Sequence, residues 1–314
     1  MISYQGAHAA VLGGSGFIGR WVARKLRESG ACVSLLTRNA ASMSDQAGVV
    51  EVDLTDSPAL AAFYSRARPC ITFNLSGYGV DPSERDEAEA WRINAEVPRT
   101  LCEYAARWSD ASWGGMQIVH AGSIAEYGDA GGDLREDGPA RPLTFYGRSK
   151  LEGSTRLALG CRTLGARGVT ARLFTVYGPG ERPGRLLPSL IEASRTGQPL
   201  NMSEGLQRRD FTYVEDVAEG LLRLGLSSGE APIVNLATGR LSTVRDFAET
   251  AAGILRIPSQ HLRFGARPDG PHEMEHEPVS LARLRNLTGW TPATTIPEGI
   301  RRSVETGLLR QSGN

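Results

Sequence analysis

Nothing in this sequence supplies the usual materials of a metal centre or a disulfide framework. Its 314 residues hold four cysteines, Cys32, Cys70, Cys102 and Cys161, scattered along the chain without a CxxC pair. Isolated cysteines of this kind are ordinarily small apolar core residues. The five histidines, His8, His120, His261, His272 and His276, make no HExxH motif. His272 and His276 stand four apart, but Pro271 and Pro278 bracket a run too short to form a helix that aims both at one ion, so no metal is expected. A charge excess is lacking too: Lys+Arg and Asp+Glu both total 35. Nucleic acids and anionic membrane surfaces demand a surplus of basic residues, so neither is expected as the main partner. No apolar run approaches the roughly 20 residues that span a bilayer. The first run, Ala9 to Leu12, leads straight into glycines and reads as a buried strand, not a secretory signal. These absences together predict a cytoplasmic protein.

What the chain does have is alternation. Short apolar runs at His8–Leu12, Cys32–Leu36, Ile71–Leu75, Gln117–His120 and Thr170–Phe174 are separated by amphipathic segments that start near Phe17, Leu60, Trp91 and Tyr146. Continuously apolar strands alternating with helices predict a parallel sheet covered on both faces, the doubly wound α/β (Rossmann) fold. The second half changes texture. Pro179, Pro183, Pro188 and Pro199 punctuate it, a strand–turn–helix unit follows at Ile233–Leu236, Gly239 and Val244–Leu255, and an amphipathic helix closes it near Pro297–Leu309. No internal repeat and no long linker occur. The expected division is a dinucleotide-binding unit over 1–178, with 210–240 returning to it, and a smaller mixed α/β substrate-binding subdomain over the rest of 179–314.

The glycines after the first strand carry the first chemical signal. Gly13-Gly14-Ser15-Gly16-Phe17-Ile18-Gly19 has the spacing GxxGxxG, between a strand and a helix. Glycine there permits a tight turn and close approach of backbone to a pyrophosphate, which the free N–H groups of the helix N-terminus then bind. A turn that merely joins strand to helix is the plainer alternative. At the end of the second strand an NAD enzyme usually carries an acid for the ribose 2′-hydroxyl. This chain has Thr37-Arg38, which suits a 2′-phosphate and favours NADP(H), with NAD(H) the alternative. Asp53-Leu54 ends the third strand, where a carboxylate can meet the adenine amino group, and Leu75-Ser76-Gly77 ends the fourth, beneath the cofactor's sugar and phosphate.

Tyr146-Gly147-Arg148-Ser149-Lys150 places a phenol and an ammonium one helical turn apart on one face. Tyrosine titrates near 10 unaided, and an adjacent Lys⁺ is expected to stabilise its phenolate. Alone, YxxxK is a common accident. Ser123, just beyond the strand Gln117–His120, adds a hydroxyl that can bond a substrate oxygen while Tyr146 moves its proton.

In this order GxxGxxG, the SxxxYG segment Ser123–Gly128 and YxxxK resemble the extended short-chain dehydrogenase/reductase family. Three later segments extend the likeness across nearly the whole chain: Arg172-Leu173-Phe174-Thr175-Val176-Tyr177-Gly178-Pro179-Gly180, Arg209-Asp210-Phe211-Thr212-Tyr213-Val214-Glu215-Asp216-Val217 and Leu287-Thr288-Gly289-Trp290-Thr291-Pro292. These are similar to RxxNVYGPG, RDFxYVxDV and LGWxP of the nucleotide-sugar epimerase/dehydratase branch. The resemblance implies a nucleotide-diphosphate sugar as substrate, with Arg209 on its diphosphate, Arg267 as a second phosphate contact and Asn94 behind the site. It also implies a homodimer through the helices at Trp91–Trp108 and Tyr146–Leu164. The chain departs from the pattern in places. Sugar 4,6-dehydratases of the family follow the catalytic hydroxyl with Asp-Glu, whereas Ile124 and Ala125 stand here, which argues against dehydration. Thr175 replaces the family's Asn, and the Pro268–Pro278 stretch does not follow the pattern.

Three functions remain open. The first is an NADPH-dependent reductase of a nucleotide 4-keto-6-deoxy sugar, the reading Arg38 favours. The second is a 4-epimerase that keeps its NAD(P). The third is a non-catalytic sensor of dinucleotide on the same fold, which the Ser–Tyr–Lys set disfavours.

Overall fold

Strands that are apolar on both faces can be buried only between two layers of helix. The computed structural model, which describes residues 3–311 apart from 44–45, 82, 111, 230 and 269–273, shows that arrangement. The strands are β1 (His8–Leu12), β2 (Cys32–Thr37), β3 (Val49–Glu51), β4 (Ile71–Asn74), β5 (Ile118–Ser123), β6 (Gly168–Leu173), β7 (Thr175–Tyr177), β8 (Leu200–Asn201), β9 (Arg208–Arg209), β10 (Phe211–Tyr213), β11 (Ile233–Leu236), β12 (Ser242–Thr243) and β13 (Leu262–Arg263). The helices are α1 (Phe17–Glu28), α2 (Ser57–Ala67), α3 (Glu87–Trp91), α4 (Val97–Trp108), α5 (Phe145–Leu164), α6 (Leu186–Thr196), α7 (Val214–Leu226), α8 (Val244–Leu255), α9 (Ala282–Thr288) and α10 (Ile296–Gln311).

Seven strands form the central sheet in the order β11-β6-β5-β4-β1-β2-β3, each pair parallel. This is the doubly wound fold expected from the sequence. Alternate residues of each strand feed different cores. Val11, Phe73, Val119 and Val169 pack with Val22 and Leu26 of α1 and Leu221 of α7. Leu12, Leu36 and Ile118 pack on the other face with Leu60, Leu101 and Leu157 of α2, α4 and α5. The strand order reverses between β1 and β4, and a ligand of such a sheet lies outside the carboxyl ends of the strands at that switch. There β7 continues from β6 and pairs with β10, while β9 pairs with β12 and β8 with β13. From the second half of the chain, β11 joins the sheet beside β6 and α7 packs on α1.

Several boundaries differ from the sequence pattern because polar side chains set them. Asp56 accepts from Ala59 N at 3.0 Å and starts α2 before Leu60. Asp86 accepts from Ala88 and Glu89 N and starts α3 before Trp91. The expected helix from Trp91 to Trp108 contains a π turn over Arg92–Glu96. Pro98 has no N–H to give the Asn94 carbonyl, which frees that turn to widen. Strand β5 runs on to Ser123 because β6 pairs with it as far as Ser123↔Leu173. Cys70, Cys102 and Cys161 are buried as expected. Cys32 is instead exposed, because it opens β2 where the chain leaves the turn after α1.

Candidate active site

Ser123 ends β5 and caps the short turn Ile124–Glu126. Its Oγ accepts from Ala125 N at 3.1 Å. Thr144 caps α5 by accepting from Gly147 N at 3.0 Å, which puts Tyr146 in the first turn of the helix and Lys150 one turn on. These three side chains come together in one cleft of about 670 Å³, whose lining also includes Phe17, Ile18, Ile124, Ala125, Thr175 and Arg209. Enclosure pushes the Tyr146 phenol up to about 12. The Ser123 hydroxyl pulls it down, as does Arg185, while Glu126 and Glu84 push it up. Lys150 is buried and donates from Nζ to the Ala121 carbonyl at 2.6 Å, and that burial lowers it to about 8. The sequence led us to expect the lysine to hold the phenol down directly. The structure instead ties the ammonium to a backbone oxygen of β5 and leaves the serine hydroxyl against the phenol.

Two buried arrangements hold this end of the cleft. Glu126 accepts from Ser123 N at 2.8 Å with Oε1 and from Arg172 Nε at 2.8 Å with Oε2. Behind α5, Asn94 donates to Tyr78 O at 2.8 Å and to Ser149 Oγ at 2.9 Å, and accepts from Tyr78 N at 3.0 Å. It therefore ties the loop after β4 to the helix that carries Tyr146 and Lys150. A Cβ on Gly153 would run into the Asn94 carbonyl, so α5 lies directly against the π turn.

A second groove, of about 330 Å³, runs over Gly13, Gly16, Thr37, Arg38, Asp53, Leu54 and Ile93, and shares Leu75, Ser76 and Gly77 with the cleft. The residues present fit a dinucleotide. Gly13 has φ +72°, and a Cβ there would stand 2.7 Å from the Leu75 carbonyl. A Cβ on Gly19 would strike the Gly13 carbonyl. No side chain caps the N-terminus of α1 at Gly16, which leaves its N–H groups for an anion. Arg38 is exposed, with Nη1 3.6 Å from Glu89 Oε1. Asp53 lies just past β3 and accepts from Thr55 N and Oγ1 at 2.9 and 2.8 Å, bonds that hold its carboxyl below the usual range.

The opposite wall of the cleft comes from the second half of the chain. Arg209, on β9, donates to the Met274 carbonyl at 3.2 Å, while Asp210 beside it is turned to Thr238 and the Arg240 backbone. Thr175 opens β7, its N bonded to Asp210 O. Arg267 is not brought to the cleft: its backbone N bonds Met202 O and the residue is exposed, so the expected second phosphate contact is not placed there. His276 is buried with Nδ1 2.8 Å from Glu277 O, and its expected non-partner His272 lies outside the described residues. Three charged cleft residues escaped the sequence reading: Glu181, Arg182 and Arg185. They sit in the loop between β7 and α6, where neither strand nor helix periodicity operates. Their charges so close to the Val-Tyr-Gly-Pro-Gly run were the available signal. Arg182 donates to Asp81 Oδ2 at 2.5 Å and to Val80 O at 2.7 Å, bridging to the loop after β4.

Residues 9–237, most of both walls, match the model of the NAD dependent epimerase/dehydratase family. The chain belongs to this family. It is therefore an NAD(P)-dependent enzyme of the extended short-chain dehydrogenase/reductase type, in a family whose members modify nucleotide sugars. One relative is the dTDP-6-deoxy-L-talose 4-dehydrogenase (NAD(P)(+)) of Kitasatospora kifunensis, 29% identical over 94% of this chain and 94% of that protein. Another is the GDP-6-deoxy-D-mannose reductase of Pseudomonas aeruginosa, 30% identical over 74% and 78%. Among solved structures, the UDP-glucose 4-epimerase of Thermus thermophilus in complex with NAD superposes with a TM-score of 0.81, 26% identical over 95% and 98%. Among the described residues no helix is long and apolar enough to cross a membrane.

Proposed function

We propose that this family member is a reductase that uses NADPH on a nucleotide-diphosphate sugar bearing a 4-keto-6-deoxy group, with Ser123, Tyr146 and Lys150 as its catalytic set. The observation that carries this reading is the wall beside Ser123: Ile124 and Ala125 face the cleft where a dehydratase of the family holds its acid and base. Gly13–Gly19, Thr37–Arg38, Asp53–Leu54 and Leu75–Gly77 would hold the cofactor, which when bound would supply hydride. The Ser123 hydroxyl hydrogen-bonds the substrate carbonyl oxygen. The Tyr146 phenol, protonated at neutral pH by its enclosure, gives its proton to that oxygen as it becomes an alkoxide. Lys150 would hold the cofactor ribose, and Asn94 fixes the helix that carries both Tyr146 and Lys150. Arg209 takes the diphosphate, and Thr175 borders the sugar. The two relatives named for work on 6-deoxy sugars favour this chemistry.

Arg38 supports the choice of NADPH over NADH. The likeness to a 4-epimerase makes epimerisation with retained NAD(P) the second reading. Incubating the protein with NADPH and dTDP-4-keto-6-deoxyglucose separates the two. One NADPH consumed per sugar reduced supports the reductase, and conversion without net consumption replaces it with the epimerase. We further propose a cytoplasmic enzyme whose dinucleotide-binding unit is 1–178 with 210–240 and whose substrate-binding subdomain is the rest of 179–314. Leu159 and Leu164, large and exposed on α5, favour a homodimer through the α4–α5 face, which a monomeric mass in light scattering would refute.

A further inference from the structure

The loop that follows β7 puts a carboxyl where the nucleotide-sugar reading needs no acid. Glu181 is in the wall of the 670 Å³ cleft and also of an adjoining cavity of about 240 Å³ that Phe211, Val244 and Phe247 line. Arg185 and Arg209 border both spaces as well, so Glu181 stands at the junction between the reacting end and the arginine end of the site. Its side chain is 8% exposed. Oε1 accepts from Arg185 Nε at 3.3 Å, while Oε2 is buried with no partner. A buried acceptor without a donor is costly, and a wall that retains one is suited to a ligand that brings the donor.

Resting on the proposed nucleotide-sugar substrate, we infer that Glu181 is a specificity-determining residue whose Oε2 accepts a hydrogen bond from a hydroxyl on the sugar ring. The diphosphate goes to the arginines, so the sugar lies between them and Tyr146, across the junction where Glu181 stands. An ionised carboxylate can only accept, so it selects a sugar that presents a hydroxyl there and disfavours one that presents a second acceptor. Arg185 on Oε1 orients the group. The charges facing it are Arg185 and Arg182, with the Gly178 N–H also favouring the ionised form, while burial outweighs them and brings the carboxyl to about 7. A donated hydroxyl favours the carboxylate over the acid. The contribution of the sugar to binding therefore grows as pH rises through this value.

The test compares dTDP-glucose with dTDP by calorimetry in the presence of NADP⁺, on either side of pH 7, for wild type, Glu181→Gln and Glu181→Asp. In wild type the ratio of the two affinities rises with pH. In Glu181→Gln it falls about tenfold or more above pH 7, the usual scale for a hydrogen bond to a charged group, and becomes flat with pH. Glu181→Asp keeps part of the pH dependence. An unchanged ratio in Glu181→Gln, or an equal change for both ligands, overturns the inference and leaves a structural partner of Arg185. A wild type that binds neither ligand, nor UDP-glucose, UDP, GDP-mannose or GDP in the same assay, overturns the nucleotide-sugar reading, and this inference with it.

Discussion

Arg172 donates from Nε to Glu126 Oε2 at 2.8 Å, with the two side chains 2% and 0% exposed. The same Glu126 accepts the backbone N–H of Ser123, and the Arg172 guanidinium lies 4.3 Å over the Tyr127 ring. The pair is therefore a foundation of the turn that presents the serine hydroxyl. Removing one member leaves a buried charge without its partner, at a cost of about 3–5 kcal/mol. Glu126→Ala is expected to lower the unfolding free energy by that amount, read as a lower urea midpoint at unchanged m. Glu126→Leu with Arg172→Met together should cost less than either change alone, and additive losses in the double variant would contradict the coupling.

Lys150 gives a pH-dependent stability of known sign. Its folded value of about 8 lies below the ordinary lysine value of 10.5, so between these values the unfolded chain binds the extra proton and stability rises with pH. Below pH 8 the full penalty of a buried ammonium is present. Lys150→Met should then be more stable than wild type at pH 7, by about 1–3 kcal/mol after the lost bond to Ala121 is set against the relief. That advantage should shrink towards pH 10. An advantage that stays constant with pH would refute the assignment.

Tyr146→Phe keeps the ring and removes the proton. Turnover should fall about 100-fold or more, the ordinary scale of general acid catalysis, while NADPH fluorescence titration gives an unchanged affinity. Full turnover in the variant would remove the phenol from the mechanism.

Arg38 stands 3.6 Å from Glu89, an acid that would compete with a 2′-phosphate for the guanidinium. Arg38→Ala should erase a preference for NADPH over NADH of about 10- to 100-fold, read from the two Michaelis constants. Glu89→Gln should strengthen that preference. Equal constants for the two coenzymes in wild type would end the NADP reading.

Gly13→Ala should destabilise the protein by more than the ~1–2 kcal/mol of a left-handed alanine, because its Cβ also meets the Leu75 carbonyl. The same variant should no longer gain thermal stability from NADPH. A protein that is still stabilised by the coenzyme would show that this turn does not cradle it.

The doubly wound sheet was legible because strand apolarity and helix amphipathicity act over neighbouring residues. β1 at His8–Leu12 and α8 at Val244–Leu255 fall where the pattern puts them. Ser123, Tyr146 and Lys150 were legible as types at set spacings, and the fold gathers them in one cleft. Glu126 with Arg172 was not, since 46 residues separate them and only the β5–β6 register makes them neighbours. Glu181 was hidden for a different reason. Its burial depends on how the loop between Pro179 and Pro183 folds over the cleft, which no local period encodes. The π turn at Asn94 likewise needed α5 in place to be seen.

The contact of Gly153 with the Asn94 carbonyl has a broader consequence. It packs two helices into one bracket, and Tyr146 and Lys150 ride on it. Glu181 and Arg182 opposite ride on the loop between β7 and α6, which can change without disturbing that bracket. Such a molecule is built like a lathe, with a fixed bed for the operation and an interchangeable chuck for the workpiece. Exchange of a few loop residues can then give it a different sugar while the operation stays the same.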